Sequence, residues 1–263
     1  MKSFKGATVL VTGASSGIGE AFAYNLANRG ANLILTARSE DKLHQLGTEL
    51  SEKHAINVHV FPGDLGQPDM PQQLWAQVQA ASLSVDVLIN NAGFGKCGPF
   101  LEYDYQSYQD MLNLNIKALV GLTHLFLPAM LKKGDGGVIN IASTAAFQPI
   151  PYLATYSATK AFVLDFSESL WGEYHERGLT ILALCPGNTA TNFADVANAD
   201  VTRMTRAETP ETVVETGLKA FLKGRNYVIP GRSVNYLLAN LSRLLPRRRV
   251  LGITSDIFKP DPS

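Results

Sequence analysis

Cysteine is scarce in this 263-residue chain, with Cys97 and Cys185 the only two. Two thiols cannot build a disulfide framework, and no Cys/His group has zinc spacing, so a reducing, cytoplasmic address is expected and no metal. Net charge is missing as well, 23 Lys and Arg standing against 23 Asp and Glu. A surface built as a whole to bind nucleic acid is therefore not expected. No apolar run has the length of a membrane span. After Lys2 and Lys5 the first apolar stretch is interrupted by Gly13, Gly17 and Gly19, where a signal peptide needs a continuous core, so export is not expected. Repeats, low-complexity tracts and Pro/Gly/Ser-rich linkers are also lacking, which predicts one domain over residues 1–263. Apolar content is not lacking: at 46% hydrophobic and 17% charged, the chain has too much apolar surface to stay disordered.

What is present is an alternation of short β-branched runs with helical periodicity, the pattern of parallel βαβ units. Strands are predicted at Ala7–Thr12, Asn32–Thr36, Asn57–Phe61, Val85–Asn90, Gly137–Ala142, Leu179–Leu184 and Tyr227–Ile229. Between the first two, Ile18, Ala21, Phe22 and Leu26 recur at helical spacing, and Gly30 stands where a helix C-cap belongs. Runs such as Val85–Ile89 are apolar throughout, as strands buried on both faces must be. The fold class expected is α/β, a Rossmann-like doubly wound parallel sheet of about seven strands with helices on both faces. The alternation breaks after Pro186: Asn188–Thr209 is polar and long for a connection, a candidate lid or substrate loop.

The turn Thr12-Gly13-Ala14-Ser15-Ser16-Gly17-Ile18-Gly19 joins the first strand to the first helix. There a glycine-rich loop can offer backbone N–H groups and a helix N-terminus to a pyrophosphate. The second strand should end at the adenosine ribose, where an acid selects NAD and an arginine accommodates the extra phosphate of NADP. This strand runs Leu33-Ile34-Leu35-Thr36-Ala37-Arg38 with no acid, so the cofactor read from it is NADP(H).

Tyr156 and Lys160 are four apart in a segment whose Phe162, Phe166 and Leu170 repeat at helical spacing, so they share one face. A phenol of ordinary pKa near ~10 is a poor acid–base catalyst at neutral pH, and a cation beside it would lower that value. Gly13, Arg38, Asp64, Asn90, Ser143 and Pro186 each end or follow a predicted strand, so they converge on the sheet's carboxyl rim, where ligands of open α/β sheets bind.

The Thr12–Gly19 turn, Asn90-Asn91-Ala92-Gly93, Asn115, Ser143, Tyr156-x-x-x-Lys160 and Pro186-Gly187 together resemble the short-chain dehydrogenase/reductase superfamily over almost the whole chain. The stretch Ala145–Phe193 further resembles a branch with 17β-hydroxysteroid and ketoacyl reductase relatives. The resemblance implies an NADP(H)-dependent enzyme interconverting a ketone or aldehyde and its alcohol. It implies that Tyr156 exchanges the proton, that Ser143 hydrogen-bonds the same oxygen, and that Lys160 holds the nicotinamide ribose and lowers the Tyr156 pKa. Asn115 would leave a helix carbonyl free for a water that links Lys160 to solvent. The cofactor set it implies is Gly13, Ser15, Ser16, Gly17, Ile18, Gly19, Arg38, Asp64, Leu65, Asn91, Ala92, Gly93, Tyr156, Lys160, Pro186, Gly187, Thr189 and Thr191. Two positions depart from the family pattern: Ser16 where NADP users often carry a basic residue, and Ala146 where a glycine is usual. The family pairs the helices bearing Asn115 and Tyr156 across subunits, which implies a homodimer or homotetramer.

Phe94, Phe100, Phe147, Tyr152, Phe193 and Met204 flank the predicted rim and suggest a pocket for an apolar carbonyl compound. From Lys219 to Ser263 there are nine Lys/Arg and two Asp/Glu, with Leu237, Leu238, Leu241, Leu244 and Leu245 before Arg247-Arg248-Arg249. This tail, taken as 232–263, could lie on an anionic membrane, cover the active site, contact a subunit or simply dock as a terminal helix. A catalytically silent NADP(H)-binding regulator or scaffold is the competing reading, and a lipid carrier a third. The intact Ser143, Tyr156, Lys160 and Asn115 speak against a pure sensor.

Overall fold

A computed structural model describes residues 1–199, 206–231, 233–242 and 244–259. Seven strands form one parallel sheet: β1 (Thr8–Thr12), β2 (Asn32–Thr36), β3 (Val58–Val60), β4 (Val87–Asn90), β5 (Gly137–Ile141), β6 (Thr180–Leu184) and β7 (Tyr227–Val228), in the order β3-β2-β1-β4-β5-β6-β7. The helices are α1 (Gly17–Asn28), α2 (Glu40–His54), α3 (Met70–Ala80), α4 (Tyr105–Leu112), α5 (Leu119–Lys133), α6 (Ala154–Tyr174), α7 (Phe193–Ala197), α8 (Pro210–Leu222), α9 (Ser233–Leu241) and α10 (Arg247–Phe258).

Successive strand residues point to opposite faces, and both faces here are covered. Val9 and Val11 of β1, Leu33 and Leu35 of β2, and Val87 and Ile89 of β4 join one core with residues of α1, α2 and α8. Leu10, Ile34 and Leu88, each one residue out of phase, join the other with residues of α3 and α5. The register pairs Leu10 with Ile34 on one side and Leu88 on the other. Each such side chain, fully out of water, contributes about 1.5–3 kcal/mol of burial. Hence the strands read as unbroken apolar runs. β2 has the predicted bounds, and the other ladders are shorter than the sequence suggests by a residue or two: Ala7 and Val85 are buried but lie before the first paired residues, and Asn57 and Phe61 flank a three-residue β3.

Strand order reverses between β1 and β4, so the connections from these two strands leave in opposite directions and open a crevice at their carboxyl ends. Helix α4 continues through a π turn, Asn113–Ala118, into α5. Contrary to the expectation that no apolar run reaches the length of a membrane span, this continuous stretch, Tyr105–Lys133, is long and apolar enough to cross a membrane by length and composition, because the π turn joins two helices into one. Leu122, Phe126 and Met130 of α5 are buried against the sheet. The segment Asn188–Thr209, expected to be a lid or substrate loop, holds α7 and a bridge between Thr189 and Glu208; its residues 200–205 lie outside the described set.

Candidate active site

The glycine turn is held from below by Asn91. Its Nδ2 donates to the carbonyls of Thr12 (2.8 Å) and Gly13 (3.2 Å), while the Thr12 hydroxyl accepts from the backbone N–H of Asn91 (2.9 Å) and Ala92 (3.0 Å). Gly13 has φ +64°, a left-handed conformation that side chains disfavour. Gly19 is required for a different reason: a Cβ there would run into the Gly13 carbonyl and lie 2.5 Å from Asn91 Nδ2. Ser16 caps α1 in extended conformation without a side-chain cap bond, leaving the first N–H groups of the helix without that partner. The turn therefore opens onto the crevice with backbone donors at a positive helix end.

A cavity of about 690 Å³ runs along this rim, within the ~300–1,000 Å³ of cofactor and small-molecule sites. Gly13, Ser15, Ser16, Gly17 and Ile18 form one end. Arg38, Asp64, Leu65, Asn91, Ala92 and Gly93 follow, and Ser143, Tyr156, Lys160, Pro186, Gly187, Thr189 and Thr191 line the rest. Two predicted site residues are not in the wall, Gly19 and Asn115, and each supports residues that are. Asn115, buried in the π turn, donates through Nδ2 to the Phe94 carbonyl (2.9 Å) and to Thr159 Oγ1 (3.1 Å), and its Oδ1 accepts from the Phe94 N–H (3.1 Å). It thereby ties the chain leaving β4 to the first turns of α6, between Tyr156 and Lys160. The Asp64 carboxylate accepts from the Gly66 N–H (3.0 Å), shaping the turn it also lines.

Lys160 is buried, its Nζ donating to the Ile141 carbonyl (2.7 Å) and lying 5.7 Å from the centre of the Tyr156 ring. Burial pulls its pKa down to about 8, partly opposed by Cys185. Burial likewise pushes the Tyr156 phenol up to about 12, against a hydrogen bond with Ser143 that acts downward. This direction is opposite to the one expected from an ammonium neighbour, because desolvation of the buried phenol outweighs the other influences. The protein's own groups thus keep Tyr156 protonated at neutral pH, the form a proton donor needs. Ser143 Oγ accepts from the Ala145 N–H (3.1 Å) and donates to the Pro186 carbonyl (3.4 Å), which fixes the hydroxyl beside the phenol. The Thr191 methyl lies 3.1 Å from where a Gly17 Cβ would be, so the chain after β6 crosses back over the glycine turn.

The match to known proteins follows this geometry. A short chain dehydrogenase family profile covers residues 7–202. The chain belongs to that family. It is 31% identical over 252 residues to the very-long-chain 3-oxoacyl-CoA reductase of Bos taurus, spanning 92% of this chain and 76% of that one. A short-chain dehydrogenase from Sphingobium yanoikuyae, solved in complex with NADPH, is 30% identical with a TM-score of 0.81 and 98% of both chains covered. The bulky-bulky ketone specific alcohol dehydrogenase from Comamonas testosteroni is 29% identical, with a TM-score of 0.78 and 98% and 97% covered.

Within this short-chain dehydrogenase, some wall residues escaped the sequence analysis. Ser39 and Lys42 line the cavity beside Arg38, all three exposed at its adenosine end. Ser39 is the N-cap of α2 and makes no side-chain cap bond. Lys42, the third residue of that helix, is one turn from Arg38, a spacing visible in the sequence once the cap is recognised. Of the aromatic residues predicted near the substrate, Phe94 and Phe193 are in the wall, the latter's ring 5.2 Å from that of Tyr156. Phe100 instead stacks on Tyr108 (4.7 Å), Phe147 packs against Tyr227 (6.1 Å), and Tyr152 lines a separate small cleft. Met204 lies outside the described residues.

Their place is taken by Ile150, Leu153 and Val196 and by the tail, whose Leu245, Val250, Ile253, Ile257 and Phe258 line the cavity. The tail is tied to the loop after Ser143. Ser242 Oγ donates to the Phe147 carbonyl (2.9 Å), and Thr254 Oγ1 to the Pro149 carbonyl (3.1 Å). Of the roles open to this segment, covering the site is the one its packing displays; the side chains of Leu238 and Leu241 are outside the described set.

Proposed function

We propose that this short-chain dehydrogenase uses NADP(H) to interconvert an apolar ketone or aldehyde and its alcohol, with Tyr156 as proton donor and acceptor. The observation that carries the proposal is the placement of Tyr156, Ser143 and Lys160 in the wall of the same cavity whose far end is the glycine turn. The residues fit the cofactor: the turn presents backbone where side chains would intrude, and Arg38, Ser39 and Lys42 give a 2′-phosphate two cations and a hydroxyl. When bound, NADPH supplies the hydride to the carbonyl carbon.

The chain's own residues do the remainder. Ser143 donates a hydrogen bond to the carbonyl oxygen as negative charge builds on it, and Tyr156 gives that oxygen its proton. Lys160 holds the ribose side of the site and keeps a positive charge near the phenol. Asn115 positions the Phe94 backbone and α6 against each other. The apolar wall suits a carbonyl flanked by hydrocarbon. Support for that comes from relatives named for 3-oxoacyl-CoA and for bulky ketones.

Residues 188–209 and the tail serve as the substrate-facing segments of this enzyme. We assign it to the cytoplasm, with peripheral contact to an anionic membrane through the basic tail. Exposed Phe100, Leu101, Tyr105, Leu112 and Phe162 on and around α4 and α6 support a homodimer or homotetramer formed through those helices.

A panel of steroid, ketoacyl, aryl and aliphatic carbonyl compounds, followed by nucleotide absorbance, tests the reading. The expected result is NADPH oxidation with at least one compound, at a kcat/KM at least about tenfold above that with NADH, which equals roughly 1.4 kcal/mol of discrimination. Nucleotide binding without oxidation of either cofactor by any compound would instead make the protein a silent binder.

A further inference from the structure

We infer that the surface formed by α7, α9 and α10 docks on an anionic lipid bilayer and that an apolar carbonyl substrate enters the cavity from the lipid side; this rests on the reductase reading above. The first observation is where apolar side chains are exposed. Apart from those around α4 and α6, the large hydrophobic residues exposed among the described ones all belong to one group of elements. These are Phe193 and Val196 of α7, Tyr236 and Leu237 of α9, Leu244 after it, and Leu251 and Ile253 of α10. Leu244 is 82% exposed and Leu237 62%. Such a concentration marks an interaction surface rather than a few isolated side chains.

The second observation is that this surface is the rim of the cavity. Phe193, Val196 and Ile253 are both exposed and in the cavity wall, so they mark its mouth. α10 turns Val250 and Ile257 inward to the cavity and Leu251 outward, so one short helix serves both surfaces.

The third observation is charge, which decides between occupants. Arg247, Arg248 and Arg249 are exposed and stand between Leu245 and Val250, both wall residues. The chain is neutral only as a whole. Residues 219–263 carry nine Lys/Arg and two Asp/Glu, whereas residues 1–218 carry 14 Lys/Arg and 21 Asp/Glu. Within that segment Lys219 is paired with Glu215 on α8 (3.0 Å), and Arg247, Arg248 and Arg249 are exposed cations beside this face, so a negative surface draws the arginine cluster and its neighbouring apolar side chains toward it. A second copy of the same basic face would be repelled, and a neutral hydrophobic partner would not need the arginines. An interfacial segment with leucines on one side and arginines beside them meets the requirement of a peripheral membrane contact.

The full-length protein is tested by co-sedimentation with vesicles of phosphatidylcholine alone and of phosphatidylcholine with roughly one-third phosphatidylglycerol. Two variants accompany it, Arg247→Gln/Arg248→Gln/Arg249→Gln and Leu237→Ser/Leu244→Ser, whose altered side chains are exposed and outside the cavity wall. Turnover is measured with a long-chain aldehyde carried in the vesicles and with a small water-soluble ketone. The inference expects binding to the anionic vesicles only, weakened at least about tenfold by the arginine variant and by raised salt. It also expects vesicle-borne turnover to fall in both variants while turnover of the soluble ketone holds.

Equal binding to both vesicle types, no binding to either, or unchanged binding by the arginine variant would overturn it. So would a leucine variant that becomes a smaller oligomer with its vesicle binding intact, since the face would then be a contact between copies. Sedimentation reads docking without catalysis, and the soluble ketone reads catalysis without docking. Failure of the inference and failure of the reductase reading are therefore told apart.

Discussion

The two ends of the cavity are built from different materials. At the cofactor end the wall is backbone, fixed by bonds from half-buried Asn91 to the Thr12 and Gly13 carbonyls and from the N–H groups of Asn91 and Ala92 to the buried Thr12 hydroxyl. At the substrate end the wall is hydrocarbon from α7 and α10, tied to the loop after Ser143 through Ser242 and Thr254. A wall of backbone tolerates almost no change, because an added atom meets a carbonyl that cannot move. A wall of side chains can alter its shape one residue at a time and leave the other end untouched. The difference separates what the enzyme must bind in every turnover from what can vary with the substrate.

The most damaging way to break that division is Gly19→Ala. Its Cβ meets the Gly13 carbonyl and Asn91 Nδ2, so the turn must shift. Overpacking of this kind costs about 1–3 kcal/mol, and the expected result is a lower Tm together with a Kd for NADPH raised by about tenfold or more. Isothermal titration beside thermal melting checks both. Parent-like affinity would mean that the tight approach is incidental.

Second in size is the double change Arg38→Ala/Lys42→Ala. With water screening these two exposed cations, their bonds to the extra phosphate are together worth about 1.4–2.8 kcal/mol, so the kcat/KM ratio of NADPH to NADH should fall by roughly tenfold to a hundredfold. NADH values should barely move. A ratio retained by the double variant would take the cofactor choice away from this corner.

A smaller effect concerns pH. Burial lowers Lys160 to about 8, so its ammonium is complete below that value and is lost above it. The free enzyme's kcat/KM for reduction should break near there and decline at higher pH. Tyr156, pushed up to about 12, should contribute no loss of the proton donor in that window. A profile flat until the tyrosine range would contradict the role given to the lysine charge.

Smallest is Ile257→Ala at the hydrocarbon end. It should raise KM for long or bulky carbonyl compounds about fivefold, leave a small ketone unaffected, and leave NADPH affinity alone, since lost contact at one wall position is worth about 1 kcal/mol, the low end for hydrocarbon discrimination. A shift in NADPH affinity would erase the distinction between the two ends.

The same contrast explains what the sequence made legible. Gly13, Gly17 and Gly19, like Tyr156 and Lys160, act through local spacing, so their neighbours in the chain reveal them. The sheet was readable because Val9, Leu10 and Val11 each face a packed layer, which leaves an unbroken apolar run. Lys42 was missed although Ser39 marks a helix start and places Lys42 one turn beyond Arg38. The substrate wall was least readable. Phe100, Phe147 and Tyr152 looked as suitable as Phe94 and Phe193, but Phe100 turns onto Tyr108 of the next helix, and long-range packing sends Phe147 onto Tyr227. Val250 and Ile257 show a helical period in the sequence, yet nothing local says that this helix closes over Tyr156. The sign of the Tyr156 shift was hidden for the same reason: a charge four residues away is visible in the chain, whereas burial of the phenol is not.

The central claim, that one aromatic hydroxyl passes the proton at the site where the dinucleotide binds, is tested most directly by Tyr156→Phe. NADPH binding by fluorescence titration and turnover of the best ketone would be measured on the same preparation. The account expects Kd to stay within about twofold while kcat falls by roughly a thousandfold, the middle of the range for general acid catalysis. Turnover equal to that of the parent, with NADPH bound as tightly, would contradict it.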